Sequence, residues 1–256
     1  MFTVLSPAKK LDFGVELPWK ATTPELIKET AQLSQVTRAL GPSEVSQLMK
    51  LSPALAQLNY QRFQDFEVDS RASGARPAAA VFDGDTYVGL RAREFSKDEL
   101  AFAQDHLGIL SGMYGILRPR DAIQPYRLEM GTRLANPRGK NLYEFWGEGV
   151  AHKVNRRLEK LGSQVLINLA SKEYFAVLAG GALRATVITP VFKEMRGGKP
   201  KIISFSAKRA RGAMARYIVE QRLTEPAGLK KYKRDGYKFE RSLSSESEWV
   251  FLRPGK

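Results

Sequence analysis

The 256-residue sequence contains no cysteine and only two histidines, His106 and His152. Without cysteine the chain forms no disulfide, no thiolate nucleophile and no cysteine-ligated metal site. A histidine-only metal site is disfavoured as well, whereas a carboxylate site for a hard cation stays open. The sequence also lacks a phosphate-binding glycine loop and a Gly-x-Ser-x-Gly elbow. We therefore predict no catalytic residue, no metal and no cofactor, and we favour a binding protein over an enzyme.

Long apolar runs are absent too. No segment approaches the roughly 20 apolar residues that cross a bilayer. Near the start, Lys9 and Lys10 follow a very short apolar run, which is the reverse of a secretory signal. We expect a cytoplasmic protein with no membrane partner and no obligate protein partner. Because no segment is a convincing linker, we predict a single domain over residues 1–256.

Acidic residues are few for a chain of this size. The 27 Asp and Glu stand against 41 Lys and Arg, which gives a formal net charge of +14. Most of the excess lies in residues 193–241, where 15 basic residues meet five acidic ones. A localised basic region with interleaved tyrosines indicates a nucleic-acid partner. A basic protein with no such partner is the alternative.

Local patterns predict an α+β domain with a mixed β-sheet and surrounding helices, because strands and helices follow one another without a βαβ rhythm. Asp83-Gly84 predicts a hairpin between strands 78–82 and 86–90; Asp83 and Asp85 could ligate a metal, but the turn is favoured. Residues 71–77 are interpreted as a polar link. The other predicted strands are 2–5, 165–169, 186–192, 201–205, 237–239 and 249–252. The predicted helices are 23–40, two within 43–66, 96–106, 142–161, one from Ser171, and 207–223.

The segment from Leu110 to Gly149 crowds glycine, proline, aromatic and arginine residues together, so we interpret it as a shaped loop. Its arginines can contact phosphates and its tyrosines can stack on bases. Tyr114, Tyr126 and Glu129 are candidates for a pocket in residues 112–133. The alternative is an ordered crossover in which the arginines pair with Asp121, Glu129 and Glu144. The residue types leave both open.

Several long blocks resemble the YaaA family of bacterial peroxide-stress proteins. The blocks are LSPAKK at 5–10, LSGMYGILRPRDAIQPYRLEMGT at 110–132, NLYEFWG at 141–147, INLASKEYF at 167–175 and ISFSAKRARGAMARYI at 203–218. The resemblance implies a single compact unit with a positively charged cleft, DNA binding, protection against hydrogen peroxide and a link to limiting free intracellular iron. It also implies a helix-hairpin-helix element, which we place at 43–66, although the glycine typical of that hairpin is missing.

We therefore expect a DNA-binding protein that acts in the response to hydrogen peroxide and oxidative DNA damage, and that prefers DNA structure to sequence. RNA is not excluded as the partner. The alternative function is an enzyme acting on a nucleotide or nucleic acid in the 112–133 pocket. The candidate nucleic-acid contacts are Lys9, Lys10, Lys50, Arg118, Arg120, Arg127, Arg133, Lys208, Arg209, Arg211, Lys230, Lys231, Lys233 and Arg234.

Overall fold

The computed structural model describes residues 1–69 and 74–255, so residues 71–73 of the predicted polar link lie outside the described residues. The α-helices are α1 (Ile27–Arg38), α2 (Pro42–Met49), α3 (Pro53–Gln64), α4 (Ala78–Val81), α5 (Asp85–Leu90), α6 (Lys97–His106), α7 (Leu142–Trp146), α8 (Gly149–Lys160), α9 (Lys172–Phe175) and α10 (Ser204–Glu220). The strands are β1 (Phe2–Leu5), β2 (Lys10–Leu11), β3 (Arg76–Pro77), β4 (Phe82–Asp83), β5 (Leu107–Ser111), β6 (Gly115–Leu117), β7 (Ala122–Ile123), β8 (Val165–Leu169), β9 (Thr186–Arg196), β10 (Lys199–Lys201), β11 (Lys238–Phe239) and β12 (Glu248–Arg253).

The main sheet has eight strands in the order β11-β12-β9-β8-β1-β5-β6, with β10 paired to β9. Five neighbouring strands, β12, β9, β8, β1 and β5, run parallel, and the outer strands β6, β10 and β11 pair antiparallel. All four residues of β1 are buried, as expected for a strand covered on both faces. The α+β domain with a mixed sheet and surrounding helices is confirmed.

The order of the parallel strands determines where a ligand can bind. Numbered along the chain, the five parallel strands lie in the order 2-1-3-4-5, which is common in doubly wound sheets. The chain passes from β1 to β5 on one side, and later returns to β8 on the other side. Ligands typically bind beyond the carboxyl ends of the two strands at such a switch point. Here those strands are β1 and β8.

Helices α5 and α10 cross at two glycines and lie beside this edge. A Cβ atom on Gly212 would lie 1.7 Å from the carbonyl oxygen of Thr86, and one on Gly89 would lie 2.1 Å from that of Arg209. Any side chain at either position would force the two backbones apart. The glycines therefore allow the close approach that places the start of α5 against α10.

The predicted hairpin at 78–90 is wrong. Residues 78–81 and 85–90 form α4 and α5, and only Phe82–Asp83 is extended, paired with Lys10–Leu11. Gly84 has φ −175°, an extended value, so Asp83-Gly84 does not make a type I′ turn. Packing of α5 on α10 overrides the local turn preference of Asp-Gly.

Three other predicted elements have different boundaries. Residues 23–26 are not helical; the start of this stretch contacts the central loop, where the Arg118 guanidinium donates to the carbonyl of Thr23 (2.8 Å). The helix predicted at 142–161 is broken at Gly147, whose φ is +45°. The strand predicted at 201–205 ends at Lys201, and α10 begins at Ser204.

Helices α2 and α3 form the tight pair that the sequence predicts within 43–66. Lys50 ends α2 in the left-handed conformation, with φ 52°, and the Ser52 hydroxyl accepts from the amide of Leu55 to cap α3. A small core of Val45, Leu51, Ala56 and Phe63 holds the pair together. Its role as a helix-hairpin-helix DNA-binding element stays a prediction. No helix in residues 1–69 or 74–255 has the length and apolar character needed to cross a membrane.

Candidate functional site

A cleft of about 540 Å³ opens where β1 and β8 end, and we call it the strand-end cleft. Its position matches the switch point of the parallel strands. The segments that line it follow β1, precede and begin α5, begin α9, and belong to α10. The lining residues are Ser6, Pro7, Ala8, Lys9, Lys10, Asp83, Gly84, Asp85, Thr86, Glu129, Leu169, Ser171, Glu173, Tyr174, Lys208 and Arg211.

Two serines join the strand ends at the base of the cleft. The amide of Ser171 donates to the hydroxyl oxygen of Ser6 at 2.9 Å, and the two hydroxyl oxygens lie 3.4 Å apart. Ser171 also caps α9, since its hydroxyl accepts from the amide of Tyr174. The phenol of Tyr87 on α5 donates to the carbonyl of Ser6 at 3.1 Å. These bonds tie α5 and both strand ends into one unit.

Lys9 and Lys10 lie in the cleft as ion-pair partners. The Lys9 ammonium lies 3.0 Å from Glu129, which Arg127 also contacts at 3.2 Å. The Lys10 ammonium lies 2.5 Å from Asp83, its direct partner in the β2–β4 ladder. Both lysine side chains are largely exposed, so the pairs contribute little to stability and can open to a ligand.

Lys208 and Arg211 have no ion-pair partner within the described residues. They lie three residues apart on α10, so they share one helix face. Arg211 is half-buried, and this burial lowers the pKa of its guanidinium. A desolvated guanidinium without a carboxylate partner favours the approach of an anion.

Four carboxylates offset the four basic side chains of the cleft. Asp83 and Glu129 are the ones paired with lysines, whereas Asp85 and Glu173 pair with no cation among the described residues. Glu173 accepts the amide of Gly131 at 3.1 Å. Within the described ranges no three His, Asp or Glu converge to hold a metal ion. The positively charged cleft that the family resemblance implies stays a prediction, since this lining is charge-balanced.

The tyrosines of the predicted 112–133 pocket do not reach the cleft. Tyr114 and Tyr126 are fully buried, and burial raises the pKa of both phenols well above the ordinary value. Tyr114 accepts the amide of Gln124 at 3.1 Å, and Tyr126 lies 2.6 Å from the hydroxyl of Ser111. Of the three pocket candidates, only Glu129 lines the strand-end cleft.

Two arginines of the central loop pair with acidic residues of the same loop, as expected if the loop is an ordered crossover. Arg118 contacts the buried carboxylate of Asp121 at 2.7 Å and donates to the carbonyl of Thr23. Arg127 pairs with Glu129. Glu144 forms no ion pair with an arginine among the described residues; its carboxylate accepts the backbone amide of Lys140. Both arginines therefore order the loop.

The remaining candidates of the central loop and of the helix pair lie apart from the cleft. Arg120 is half-buried, and its Nε atom has no hydrogen-bond partner among the described residues. Arg133 and Lys50 are exposed. None of the three lines the strand-end cleft, and their contact with nucleic acid stays a prediction.

The basic C-terminal candidates divide into packed and free side chains. Lys230 lies over Trp249, with its ammonium 4.6 Å from the ring centroid, and Arg234 pairs with Glu220. Arg209 is 4.0 Å from Asp235. Lys231 and Lys233 are exposed and have no ion-pair partner among the described residues. Like Lys208 and Arg211, these two lysines are therefore available to an anionic partner.

Sequence reasoning considered Ser171 and Asp85 singly and missed Ser6, Glu173 and Tyr174 as members of one site. The sequence position of the two serines was the signal that could have indicated the site. Ser6 and Ser171 each follow a buried strand, and the carboxyl ends of parallel strands meet at one sheet edge. That signal was usable only with the knowledge that β1 and β8 are neighbours.

The fold and the cleft define a single-domain α+β protein with a parallel five-strand core and a ligand-sized cleft at its strand ends. The chain belongs to the YaaA family: the family described as "Peroxide stress protein YaaA" matches residues 1–243. UPF0246 proteins of Saccharophagus degradans and Ralstonia pickettii are each 50% identical to it over 254 residues, or 99% of both chains. The UPF0246 protein of Dinoroseobacter shibae is 51% identical over 99% of this chain and 95% of its own. The recognised resemblance is confirmed, and the family supports a role in peroxide stress.

Proposed function

We propose that this chain is a cytoplasmic DNA-binding protein of the peroxide-stress response, acting on damaged or distorted DNA without reading base sequence. The family supports the peroxide-stress context. One observation carries the DNA-binding part: most basic side chains of residues 193–241 have no carboxylate partner within residues 1–69 and 74–255. Cations that are not neutralised internally are available to phosphates, which supply most of the non-specific affinity for DNA.

Only some of the basic residues in 193–241 form ion pairs within the described ranges. Of the 15 basic residues, five pair with carboxylates within the described ranges. The paired residues are Arg196, Arg209, Arg216, Arg222 and Arg234. The ten others, Lys231 and Lys233 among them, have no such pair. Lys230 is less suited to a phosphate contact, because it covers Trp249 and Phe239.

The first test is a salt titration of binding to duplex, branched and single-stranded DNA, with RNA as competitor. For duplex DNA, log K is expected to fall linearly with log salt, at a slope of about −0.9 per neutralised phosphate. Tighter binding to the branched form would support the link to DNA damage. Affinity that does not change with salt would contradict the proposal.

The matching variant is Lys231→Gln with Lys233→Gln. We expect weaker binding to every DNA sequence alike and a salt slope shallower by about one unit per lysine. Lys20→Gln with Lys28→Gln removes the same charge from two exposed lysines outside the basic region, which have no ion pair in the part of the chain that the structure describes, and serves as the control. Equal affinities of the two double variants would exclude residues 231–233 from the DNA contact.

An enzyme acting on a nucleotide or nucleic acid is the second candidate, and a different observation favours it. The strand-end cleft holds fixed carboxylates, hydroxyls and amines in a cavity of ligand size. The central loop contributes Glu129 to it rather than the tyrosines. Turnover of DNA or nucleotides that is lost in Glu129→Gln and retained in the Lys231, Lys233 double variant would favour this function.

A further inference from the structure

The strand-end cleft keeps charged groups that the fold does not pair. Lys9 and Lys10 pair with Glu129 and Asp83, whereas the other two cations of the lining, Lys208 and Arg211, pair with no carboxylate in residues 1–69 or 74–255. Asp85 and Glu173 are the carboxylates of the lining that form no ion pair among the described residues. The unpaired charges are therefore of both signs. Such an arrangement is unfavourable for a uniform polyanion such as duplex DNA, since a carboxylate repels phosphate.

The unpaired groups are held by different parts of the fold. Lys208 and Arg211 project from α10, which is fixed by its glycine crossing with α5. Glu173 begins α9, where its carboxylate accepts the Gly131 amide and its carbonyl accepts the Tyr143 phenol at 2.8 Å. Groups on rigid, separately supported elements keep their positions without a ligand and cost little entropy when one binds.

The rest of the lining suits a small organic molecule. A volume of about 540 Å³ lies within the range of roughly 300–1,000 Å³ that is typical of small-molecule sites. Leu169, Pro7 and Ala8 add apolar surface beside the hydroxyls of Ser6 and Ser171. The position beyond the carboxyl ends of β1 and β8 is the one at which open parallel sheets bind ligands.

We propose that the strand-end cleft binds a small dipolar molecule, with its anionic group at Lys208 and Arg211 and its amino group at Glu173. Two classes of compound carry this chemistry: nucleotides with an exocyclic amino group on the base, and free amino acids. The guanidinium of Arg211 matches a phosphate or a carboxylate, and the Glu173 carboxylate accepts from an amine. This binding is separate from DNA binding and does not depend on it.

The experiment compares two-ended ligands with one-ended analogues by calorimetry. CMP carries both groups, UMP lacks the base amino group, and cytidine lacks the phosphate. L-Norvaline likewise carries both groups, whereas pentanoate and 1-aminobutane each carry one. In at least one series, we expect the two-ended ligand to bind tenfold or more tightly than either analogue. The series that shows this identifies the class.

Two variants test the assigned contacts. Arg211→Gln is expected to weaken the two-ended ligand at least tenfold, and Glu173→Gln to remove its advantage over the analogue without the amino group. Arg156→Gln and Glu246→Gln, exposed residues outside the cleft, are the matched controls. Thermal unfolding of each variant verifies that it is folded.

The proposal is overturned if neither CMP nor norvaline binds at millimolar concentration, or if binding is unchanged in both Arg211→Gln and Glu173→Gln.

The Lys231, Lys233 double variant separates this site from DNA binding. We expect it to bind the small ligand like the wild type, even if its DNA affinity is reduced. If the wild-type protein binds no form of DNA while the small ligand still binds, the DNA function is wrong and the cleft assignment stands.

Discussion

Glu194 illustrates how a single residue links pH to stability. Its carboxylate is buried on β9 and receives Arg253 at 2.5 Å and Arg196 at 3.1 Å. Burial alone would raise the pKa of Glu194, but the hydrogen bond from Ser206 and the Arg253 guanidinium outweigh it and hold the pKa below its ordinary value. The ionised form is therefore favoured in the folded protein.

Because the pKa of Glu194 is lower in the folded state than in the unfolded state, the direction in which pH changes the stability is defined. The contribution of Glu194 to the free energy of unfolding is present above the unfolded pKa, about 4.3, and is lost as the pH falls through the lower folded value. We predict that wild-type protein loses stability below about pH 5 and that Glu194→Gln, less stable at pH 7, loses less over the same window. Chemical denaturation at several pH values measures this. Glu159→Gln, in an exposed pair with Arg184, is the control and should follow the wild type. Parallel curves for Glu194→Gln and wild type would contradict the linkage.

Arg118 shows why residue type does not assign a role. The sequence makes it a phosphate contact or a structural pair with equal justification, and the structure supplies a buried carboxylate, Asp121, as partner. We predict that Arg118→Gln lowers the free energy of unfolding by about 3 kcal/mol, because Asp121 is left buried without its charge partner. Exposed Arg133→Gln should change it by less than about 0.5 kcal/mol. Urea denaturation compares them, and equal stability would show that the pair contributes nothing.

At the scale of elements, local pattern predicted the capped helices well and the 78–90 segment badly. Ser52, Ser96 and Ser171 each cap a helix that the sequence predicts, and such a cap is a local hydrogen bond. The identity of α5 depends instead on a helix crossing with α10, more than a hundred residues away. The pattern of apolar residues within one segment does not predict a contact with a helix so far away in the sequence.

The crossing of α5 and α10 leads to a testable prediction. Gly212→Ala places a methyl group where the carbonyl of Thr86 lies, so α5 and α10 must separate. Overpacking of this kind costs about 1–3 kcal/mol, and we expect the variant also to lose ligand binding in the strand-end cleft, because Thr86 and Arg211 line it. Gly149→Ala is the matched control: it lies in α8 with open space around it and should be neutral or slightly stabilising. Equal thermal stability of the two variants would refute the close crossing.

At the scale of the molecule, the succession of predicted strands and helices indicated the α+β class and composition indicated the basic character, but neither indicated the sheet order. The central pairings of β1 join Phe2–Leu5 to residues more than a hundred positions later, and the partner strand β5 was hidden at the start of the glycine-rich loop. Without that order, Ser6 and Ser171 are two unrelated serines. With it, they mark the edge at which the cleft forms.

The composition of the whole chain also constrains how a peroxide-stress protein can respond to its oxidant. There is no cysteine to oxidise, and Met1, Met113, Met130 and Met214 are buried. Only Met49 and Met195 are half-exposed among the described residues, and methionine oxidation usually damages rather than signals. The protein is therefore expected to act on the consequences of peroxide and not to sense it.

We predict that minutes in millimolar hydrogen peroxide leave the DNA affinity and the thermal stability of the protein unchanged within twofold. Mass spectrometry should locate the first added oxygen on Met49 or Met195, with no intermolecular cross-link. The Met49→Leu, Met195→Leu variant is the control, because it removes the accessible thioethers while keeping apolar side chains of similar volume. A tenfold change in DNA affinity that the double variant abolishes would make these methionines a switch. A change of that size that persists in the double variant would reveal an oxidisable group elsewhere in the chain. Either result would contradict the conclusion that the protein does not sense peroxide directly.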